Sequence, residues 1–413
     1  MNRNNKFLIV ILAVLTIGVL LTGAMVFSTA ARQQEDVDPA EPAEESRVVS
    51  AADQPTPVFS AVHATDASIA YVAEQSDEDG FSAICVMDAD DLNPQRLVES
   101  ENGYCLFPSW SPDGQKIAYL RYTSGADEEF WNGNDLTEVW VATLDGSAHV
   151  RISDAIPSID EARTVTWSPD GTRLAFLGQA VEETTDTLFV FHTDSSELEH
   201  SIPLDFWAIE MMLWSPTGDE LLFIPETDTP RMTVHILSLE DQQINSIHGV
   251  GMMDSWGWGS PLDWSPDGTE FAVVDTLAKE VLIMDTGGEV RLDAWIADRY
   301  PVEVAWSPNG AYIAVSVSIK VLDAGDTSDM EIHILDAETG ESVAVFHEQG
   351  GMVAMLDWSS DSNRLLFTSL YETPGGWVAA DGMWIYDVTS GALEQLDTGG
   401  GDDQIVEMGV WSP

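Results

Sequence analysis

The chain has 413 residues, 44% of them hydrophobic, enough for one large or two ordinary domains with a proper core. Its 16 Lys plus Arg stand against 71 Asp plus Glu, a formal net charge of −55 at pH 7. A surface of that sign repels phosphate backbones and excludes nucleic acid as a partner. Hydrated carboxylates keep an exported domain soluble or suit a salty medium, and cation binding is the sharper alternative.

The opening "MNRNNK" carries Arg3 and Lys6, and Phe7 to Phe27 then runs twenty-one residues without a charge. That length spans a bilayer as a helix. Positive charge before the run and "QQEDVDPAEPAEE" after it place the N-terminus in the cytoplasm and export the rest. A cleaved signal peptide is the competing reading, because Ser28-Thr29-Ala30 offers small residues at a cleavage position. The run is long for a signal peptide, which favours an uncleaved signal-anchor; export follows either way. Residues 1–31 are therefore a cytoplasmic stub and transmembrane helix. Residues 32–57, rich in Glu, Asp, Pro and Ala, cannot bury enough surface to order themselves and read as a solvated linker.

From residue 58 onward the sequence repeats. Trp110, Trp167, Trp214, Trp264, Trp306, Trp358 and Trp411 each precede Ser-Pro or a near variant, 42 to 57 residues apart. That spacing fits one four-stranded propeller blade per unit. An extended run such as "PVEVAW" leads into each Trp. A Pro-Asp-Gly turn follows, and then an apolar strand such as "KIAYL", "RLAFL" or "EFAVV". A third strand ends near an acidic turn, as in "EIHILDAETG", and a weaker fourth closes the unit. No segment of the repeat region has helical period, so the domain reads as all-β.

"WSPDG" followed by an "IAF"-type strand resembles the WD40-like repeat of TolB-type β-propellers, and the resemblance covers residues 58–413. Thr217 and Asn309 depart from the pattern by replacing the turn Asp, and "WSSDSNRLL" after Trp358 lacks both Pro and Gly. Members of that family place an α/β domain ahead of six blades, whereas seven units occur here. The resemblance thus implies a fold and leaves the role open.

Calling the strand that ends in Trp "A" and the next three B, C and D, the residues before Trp110 supply B, C and D: "SIAYVA", "SAICVMD" and "QRLVES". The last residues supply an A strand, "IVEMGVW", with nothing behind it. Joining the two closes a ring of seven four-stranded antiparallel blades and removes a free sheet edge. "VFSAV", Val58 to Val62, competes for the same place but lacks the Trp and a proper turn. The expected molecule is a monomeric seven-bladed propeller behind one transmembrane helix.

Catalytic constellations are sparse. No Gly-x-Ser-x-Gly elbow occurs, which argues against a prolyl-oligopeptidase-like hydrolase. His235 and His333 occupy matching third-strand positions two blades apart, and a periodic structural origin explains them better than a metal does. "GADEEFWNGNDLTE" could wrap a Ca²⁺ ion with Asp127, Glu129, Asn132 and Asp135, although solvated loop acids account for the same residues. Cys85 and Cys105, the only cysteines, could form a disulfide between the first two blades if geometry allows.

The seven repeat tryptophans pack between blades on this reading, and Trp140 and Trp384 sit in third strands. Trp131 and Trp377 fall in B–C loops, and Trp207, Trp256, Trp258 and Trp295 in or beside D–A loops. Those loops emerge on one face, which becomes long-looped, aromatic and acidic. These tryptophans can plug the channel mouth, or they can clamp a partner. The second reading makes the protein a membrane-anchored binding module for an envelope protein, peptide or glycan. The alternative is a glycan- or lactone-active hydrolase or lyase using Asp127, Asp254, Asp329 and Glu372 at the channel mouth.

Overall fold

A computed structural model describes residues 68–75, 82–90, 93–99, 104–123, 136–156, 159–180, 185–206, 209–225, 231–251, 260–296, 299–318, 330–348, 352–372, 378–396 and 404–413. These residues form seven four-stranded sheets. The expected N-terminal helix, the linker and Val58 to Val62 all lie outside the described residues. Among the described residues, no helix is long and apolar enough to cross a membrane.

Blade 1 begins with β1 (Ser68–Gln75), β2 (Ser82–Asp88) and β3 (Gln95–Glu99). Blade 2 is β4 (Tyr104–Trp110), β5 (Lys116–Thr123), β6 (Leu136–Thr143) and β7 (His149–Arg151). Blade 3 is β8 (Ile159–Trp167), β9 (Arg173–Ala180), β10 (Asp186–His192) and β11 (Leu198–Pro203). Blade 4 is β12 (Ile209–Trp214), β13 (Glu220–Pro225), β14 (Arg231–Ser238) and β15 (Ile244–Gly251). Blade 5 is β16 (Leu262–Trp264), β17 (Glu270–Asp275), β18 (Glu280–Asp285) and β19 (Val290–Trp295). Blade 6 is β20 (Tyr300–Trp306), β21 (Tyr312–Ser318), β22 (Met330–Asp336) and β23 (Ser342–Glu348). Blade 7 is β24 (Met352–Trp358), β25 (Arg364–Glu372), β26 (Val378–Asp387) and β27 (Leu393–Gln395).

The last strand, β28 (Gln404–Trp411), does not begin an eighth sheet. It pairs antiparallel with β1, Ile69 opposite Trp411 and Ala70 opposite Val410, so the first sheet has the order β28-β1-β2-β3. Ser412 continues the pairing by donating its N–H to the Ser68 carbonyl at 2.7 Å. The missing A strand of blade 1 is therefore supplied from the C-terminal end, as the repeat count implies.

The A–B turns explain why Ser follows every repeat Trp. In blade 2, the Ser111 hydroxyl donates to Asp113 Oδ1 at 2.7 Å and accepts from Lys116 N–H at 2.9 Å. Asp113 in turn accepts from Gln115 N–H, and Gly114 takes φ +63°, where a side chain would be strained. The variants keep the chemistry with other atoms. Thr217 Oγ1 lies 2.9 Å from Ser215 Oγ, and Asn309 Oδ1 accepts from Ser307 at 2.9 Å. In blade 7, Ser362 occupies the glycine position at φ +60°, and its hydroxyl accepts from Asn309 N–H of blade 6 at 3.0 Å.

The core lies between blades. One cluster joins blades 1 to 3 around Tyr119, Trp110 and Trp167; another joins blades 4 to 6 around Phe271, Trp264 and Trp306. A third packs the Ile69 and Tyr71 side of blade 1 against Leu366 and Met383 of blade 7, which completes the ring. The A strands meet from blade to blade: β28 with β4, β4 with β8, β8 with β12, β16 with β20, β20 with β24, and β24 with β28. They are the inner strands, and the D strands form the circumference. Exposed large apolar side chains accordingly fall mainly on D strands, among them Val150, Leu198, Val343 and Val345.

The two cysteines are buried and not bridged to each other. Cys85 alternates with Ile84 and Val86 along β2, which turns it toward the blade 7 side of the first sheet. Cys105 lies in the layer shared with blade 2. A sheet separates the two layers, so the bridge that the sequence left open does not form; sequence separation gave no information about which face each thiol takes.

Candidate functional site

Two regions carry chemistry: the inner ring of A strands and the end of the propeller where the D–A and B–C connections emerge.

Around much of the inner ring, each repeat Trp donates its indole N–H to the carbonyl just before the preceding blade's Trp. Trp110 bonds Val410 at 3.2 Å, Trp167 bonds Ser109 at 3.0 Å, Trp214 bonds Thr166 at 3.3 Å, and Trp264 bonds Leu213 at 3.4 Å. Trp358 repeats the contact with Ala305 at 3.0 Å. These tryptophans are buried, so the bond satisfies a donor that would otherwise be costly to bury.

The pattern fails where an Asp precedes the Trp. Trp306 should reach the Asp263 carbonyl, yet its indole bonds Gly310 in its own turn at 3.3 Å. Trp411 should reach Asp357, and its Nε1 has no hydrogen-bond partner among the described residues. The carboxylates act instead. Asp263 Oδ2 accepts the main-chain N–H of Trp306 at 2.7 Å, and Asp357 Oδ2 accepts that of Trp411 at 2.7 Å. Between them, Glu303 Oε1 accepts the N–H of Leu356 at 2.8 Å. Three acids on β16, β20 and β24 thus each hold the main chain of the next blade's A strand. One related bond occurs elsewhere, from a C strand: Asp186 Oδ2 accepts Ile209 N–H at 2.9 Å.

Burial dominates the protonation of these acids. It pushes Asp263 up to about 7 against the pull of its bonds from Trp306 and Trp264. It pushes Asp357 up to about 7, with a further rise from the charge of Asp263, and Glu303 up to about 8. Asp263 and Asp357 are half-buried as residues, but their carboxyl groups are enclosed, and the enclosure sets their protonation. Glu303 is 2% exposed. Its Oε2 lacks a partner of normal geometry, and the Ser260 and Met355 amides offset only part of its burial. Sequence reasoning missed this trio. Its trace was "LDW", which occurs at both Leu262 to Trp264 and Leu356 to Trp358 in strands otherwise apolar.

Of the six surplus tryptophans, Trp295 is described. It ends β19, is 61% exposed and lies in register with Glu280. Leu277, 47% exposed, sits in the short β17–β18 turn on the same end of blade 5, where Ile296 N–H bonds the Lys279 carbonyl at 3.1 Å. The Lys279 ammonium stands 4.5 Å from the Tyr300 ring centroid beside them. Trp131, Trp207, Trp256, Trp258 and Trp377 lie outside the described residues. So do Asp127, Glu129, Asn132, Asp135, Asp254 and Asp329, and the side chain of Glu372. Among the described residues, no group of three or more His, Cys, Asp or Glu side chains is placed to hold a metal ion.

The paired histidines have matching surroundings. His235 Nδ1 meets Ser246 at 3.1 Å and His333 Nδ1 meets Ser342 at 3.5 Å, each Ser coming from the adjoining D strand. His235 lies between Phe206 and Phe223, and burial lowers its pKa. His333 also meets Glu331 at 3.2 Å, a carboxylate that already accepts from Arg299 Nε and Nη2 at 2.8 and 3.2 Å. Blade 2 buries a further network absent from the sequence reading. Glu138 accepts from Arg121 at 3.1 Å, from the Trp140 indole at 2.9 Å and from Arg151. Beside it, the Tyr119 hydroxyl meets His149. Arg151 also pairs with the exposed Asp154, so two guanidiniums share one buried and one surface carboxylate.

The ring of Trp-Ser-Pro turns defines a seven-bladed β-propeller with composite closure. No family profile matches the chain. It is 37% identical over 60 residues to the Tol-Pal system protein TolB of Wigglesworthia glossinidia brevipalpis, covering 14% of each chain. It is 41% identical over 58 residues to TolB of Xylella fastidiosa, strain M12, covering 14% of this chain and 13% of that one. The chain thus matches about a seventh of the length of these curated relatives. Among solved structures, the propeller of the trilobed protease from Pyrococcus furiosus, with an open velcro topology, aligns with a TM-score of 0.54 at 17% identity. The alignment covers 80% of this chain and 92% of that one. The Pyrococcus horikoshii acylaminoacyl peptidase aligns at 0.54 and 16% identity, over 80% of this chain and 51% of that one. The protein is a seven-bladed β-propeller whose repeats are similar to those of TolB.

Proposed function

We propose that the protein is an interaction module of the cell envelope, tethered through Phe7 to Phe27 with its propeller outside the membrane. A protein, peptide or glycan of the envelope would dock on the face where the D–A and B–C connections emerge. The exposure of Trp295 is the observation that carries this reading, since a large aromatic at 61% exposure beside an exposed Leu277 is the kind of anchor that dominates binding energy. Five further tryptophans fall by chain position in connections that open on the same end. The curated relatives are named as proteins of the Tol-Pal system, which favours a protein partner by analogy. Solved neighbours include peptidases, but this chain spans about half of the acylaminoacyl peptidase and has no Gly-x-Ser-x-Gly.

Replacing Trp295 with Ala should weaken capture of envelope components by the full chain at least about tenfold, the range of an aromatic hot spot. Val290→Ala, on the same strand at its other end, should leave capture unchanged. Equal capture by wild type and Trp295→Ala would remove this face from consideration.

A further inference from the structure

The acids of the inner ring are not scattered. Asp263, Glu303 and Asp357 stand on three consecutive A strands, and each accepts a main-chain N–H from the next blade. Together they cover the junctions from blade 5 through blade 6 and blade 7 to β28, the strand that closes the ring. In the junctions from blade 1 to blade 5, the A strands are joined to one another by indole N–H groups, which do not titrate, and the carboxylate added there, Asp186 on β10, comes from a C strand.

We propose that this arc is a proton-controlled latch, in which Asp357 holds β28 while protonated and enclosed, and release of β28 sheds its proton to bulk water.

Three observations support the direction. Asp357 takes its hydrogen bond from the Trp411 N–H on β28, so unseating that strand removes its partner. The charges acting on it come from its own kind: Asp263 raises its affinity for a proton, and Asp357 does the same for Glu303. Nearby basic groups are engaged elsewhere. From β25, Arg364 lies 4.9 Å from the Trp411 ring centroid and pairs with Asp90 at 3.0 Å. From the blade 6 side, Arg299 and His333 are taken by Glu331. Across the sheets, Asp263 faces Ala272, Glu303 faces Ser316 and Asp357 faces Leu366, none of them charged. When β28 leaves, Asp357 meets water and its pKa falls toward the ordinary carboxylate value of about 4. Opening at the seam is then linked to the loss of one proton between about pH 4 and the enclosed value of about 7.

Linkage sets the expected effect: the open population of β28 rises about tenfold per pH unit in that window. Hydrogen exchange of the full chain at pH 5 and pH 7, corrected for intrinsic exchange rates, reads it directly. Protection of the β28 amides should fall up to about 100-fold between the two pH values, while β8 amides change less than about threefold. Asp357→Asn keeps an oxygen acceptor for Trp411 N–H and removes the titration, so it should flatten the β28 response. Parallel pH responses of β28 and β8 would overturn the latch, as would an Asp357→Asn variant that keeps the β28 slope. Should that variant fail to fold, the β28-against-β8 comparison within the wild type decides alone.

Discussion

From blade 1 round to blade 5, neighbouring inner strands are joined by an indole N–H on a carbonyl, repeated at Trp110, Trp167, Trp214 and Trp264. From blade 5 back to blade 1, carboxylates of Asp263, Glu303 and Asp357 take the main-chain N–H instead, with Trp358 alone keeping the indole bond. The same strand, turn and tryptophan thus support two kinds of junction. An indole donor is indifferent to pH, whereas an enclosed carboxyl couples its junction to proton uptake. The closing seam belongs to the second kind, so the ring is fastened where its chemistry is most conditional.

Removing the seam should have the largest effect. Deleting residues 405–413 strips β28 from β1, leaves the blade 7 layer around Leu366 and Met383 without Trp411, and takes from Arg364 the ring it lies over. The expected loss is about 5 kcal/mol or more, a large part of a domain's stability, in a urea unfolding curve. A truncated chain that unfolds like the full one would mean that another segment, with Val58 to Val62 the first candidate, fills the A position.

Trp→Phe substitutions sharpen the contrast further. Trp167→Phe removes the bond to Ser109 and should cost about 1 kcal/mol more than Trp411→Phe, whose indole nitrogen has no partner among the described residues. Comparable packing loss at both positions makes the difference between the two melts the informative number. The smallest effect is expected at Ser362→Gly. It relieves a left-handed backbone at φ +60° but gives up the bond from Asn309, so the net change should stay within about 0.5 kcal/mol.

Blade count, turn chemistry and closure were legible because they recur. Seven tryptophans at blade spacing mark the A strands, and three strands before Trp110 without a first one mark the gap that β28 fills. Thr217 and Asn309 looked like departures, yet their oxygens serve the same Ser hydroxyl, because the turn needs an acceptor at that place rather than a carboxylate. The carboxylate arc was illegible for the opposite reason. An Asp before a Trp reads as a solvent-facing residue of a strand, and only the meeting of A strands from successive blades shows that it points at a neighbour's main chain. Cys85 and Cys105 failed as a pair on similar grounds, since two strands from adjacent blades can place thiols on either side of a sheet. The exposed face was legible in position alone: Trp295 stands at the expected end of blade 5, and nothing in its spacing gave its 61% exposure.

Thermal unfolding against pH reads the protons held by the inner ring. Asp263, Glu303 and Asp357 bind protons more tightly folded, with values of about 7, 8 and 7, than they do unfolded at about 4. The folded chain therefore holds more protons between about pH 4 and pH 8, and stability falls as pH rises through that window. Turn acids act oppositely and at lower pH: Ser168 and the Thr172 amide hold Asp170 near 2, so its contribution is lost only below about pH 4. The measurement compares wild type with a combined Asp263→Asn, Glu303→Gln and Asp357→Asn variant from pH 5 to pH 8. The wild-type midpoint should drop by several degrees across the range, and that of the variant much less. Two parallel curves would contradict this, because the pH dependence would then belong to the acidic surface and not to the inner ring.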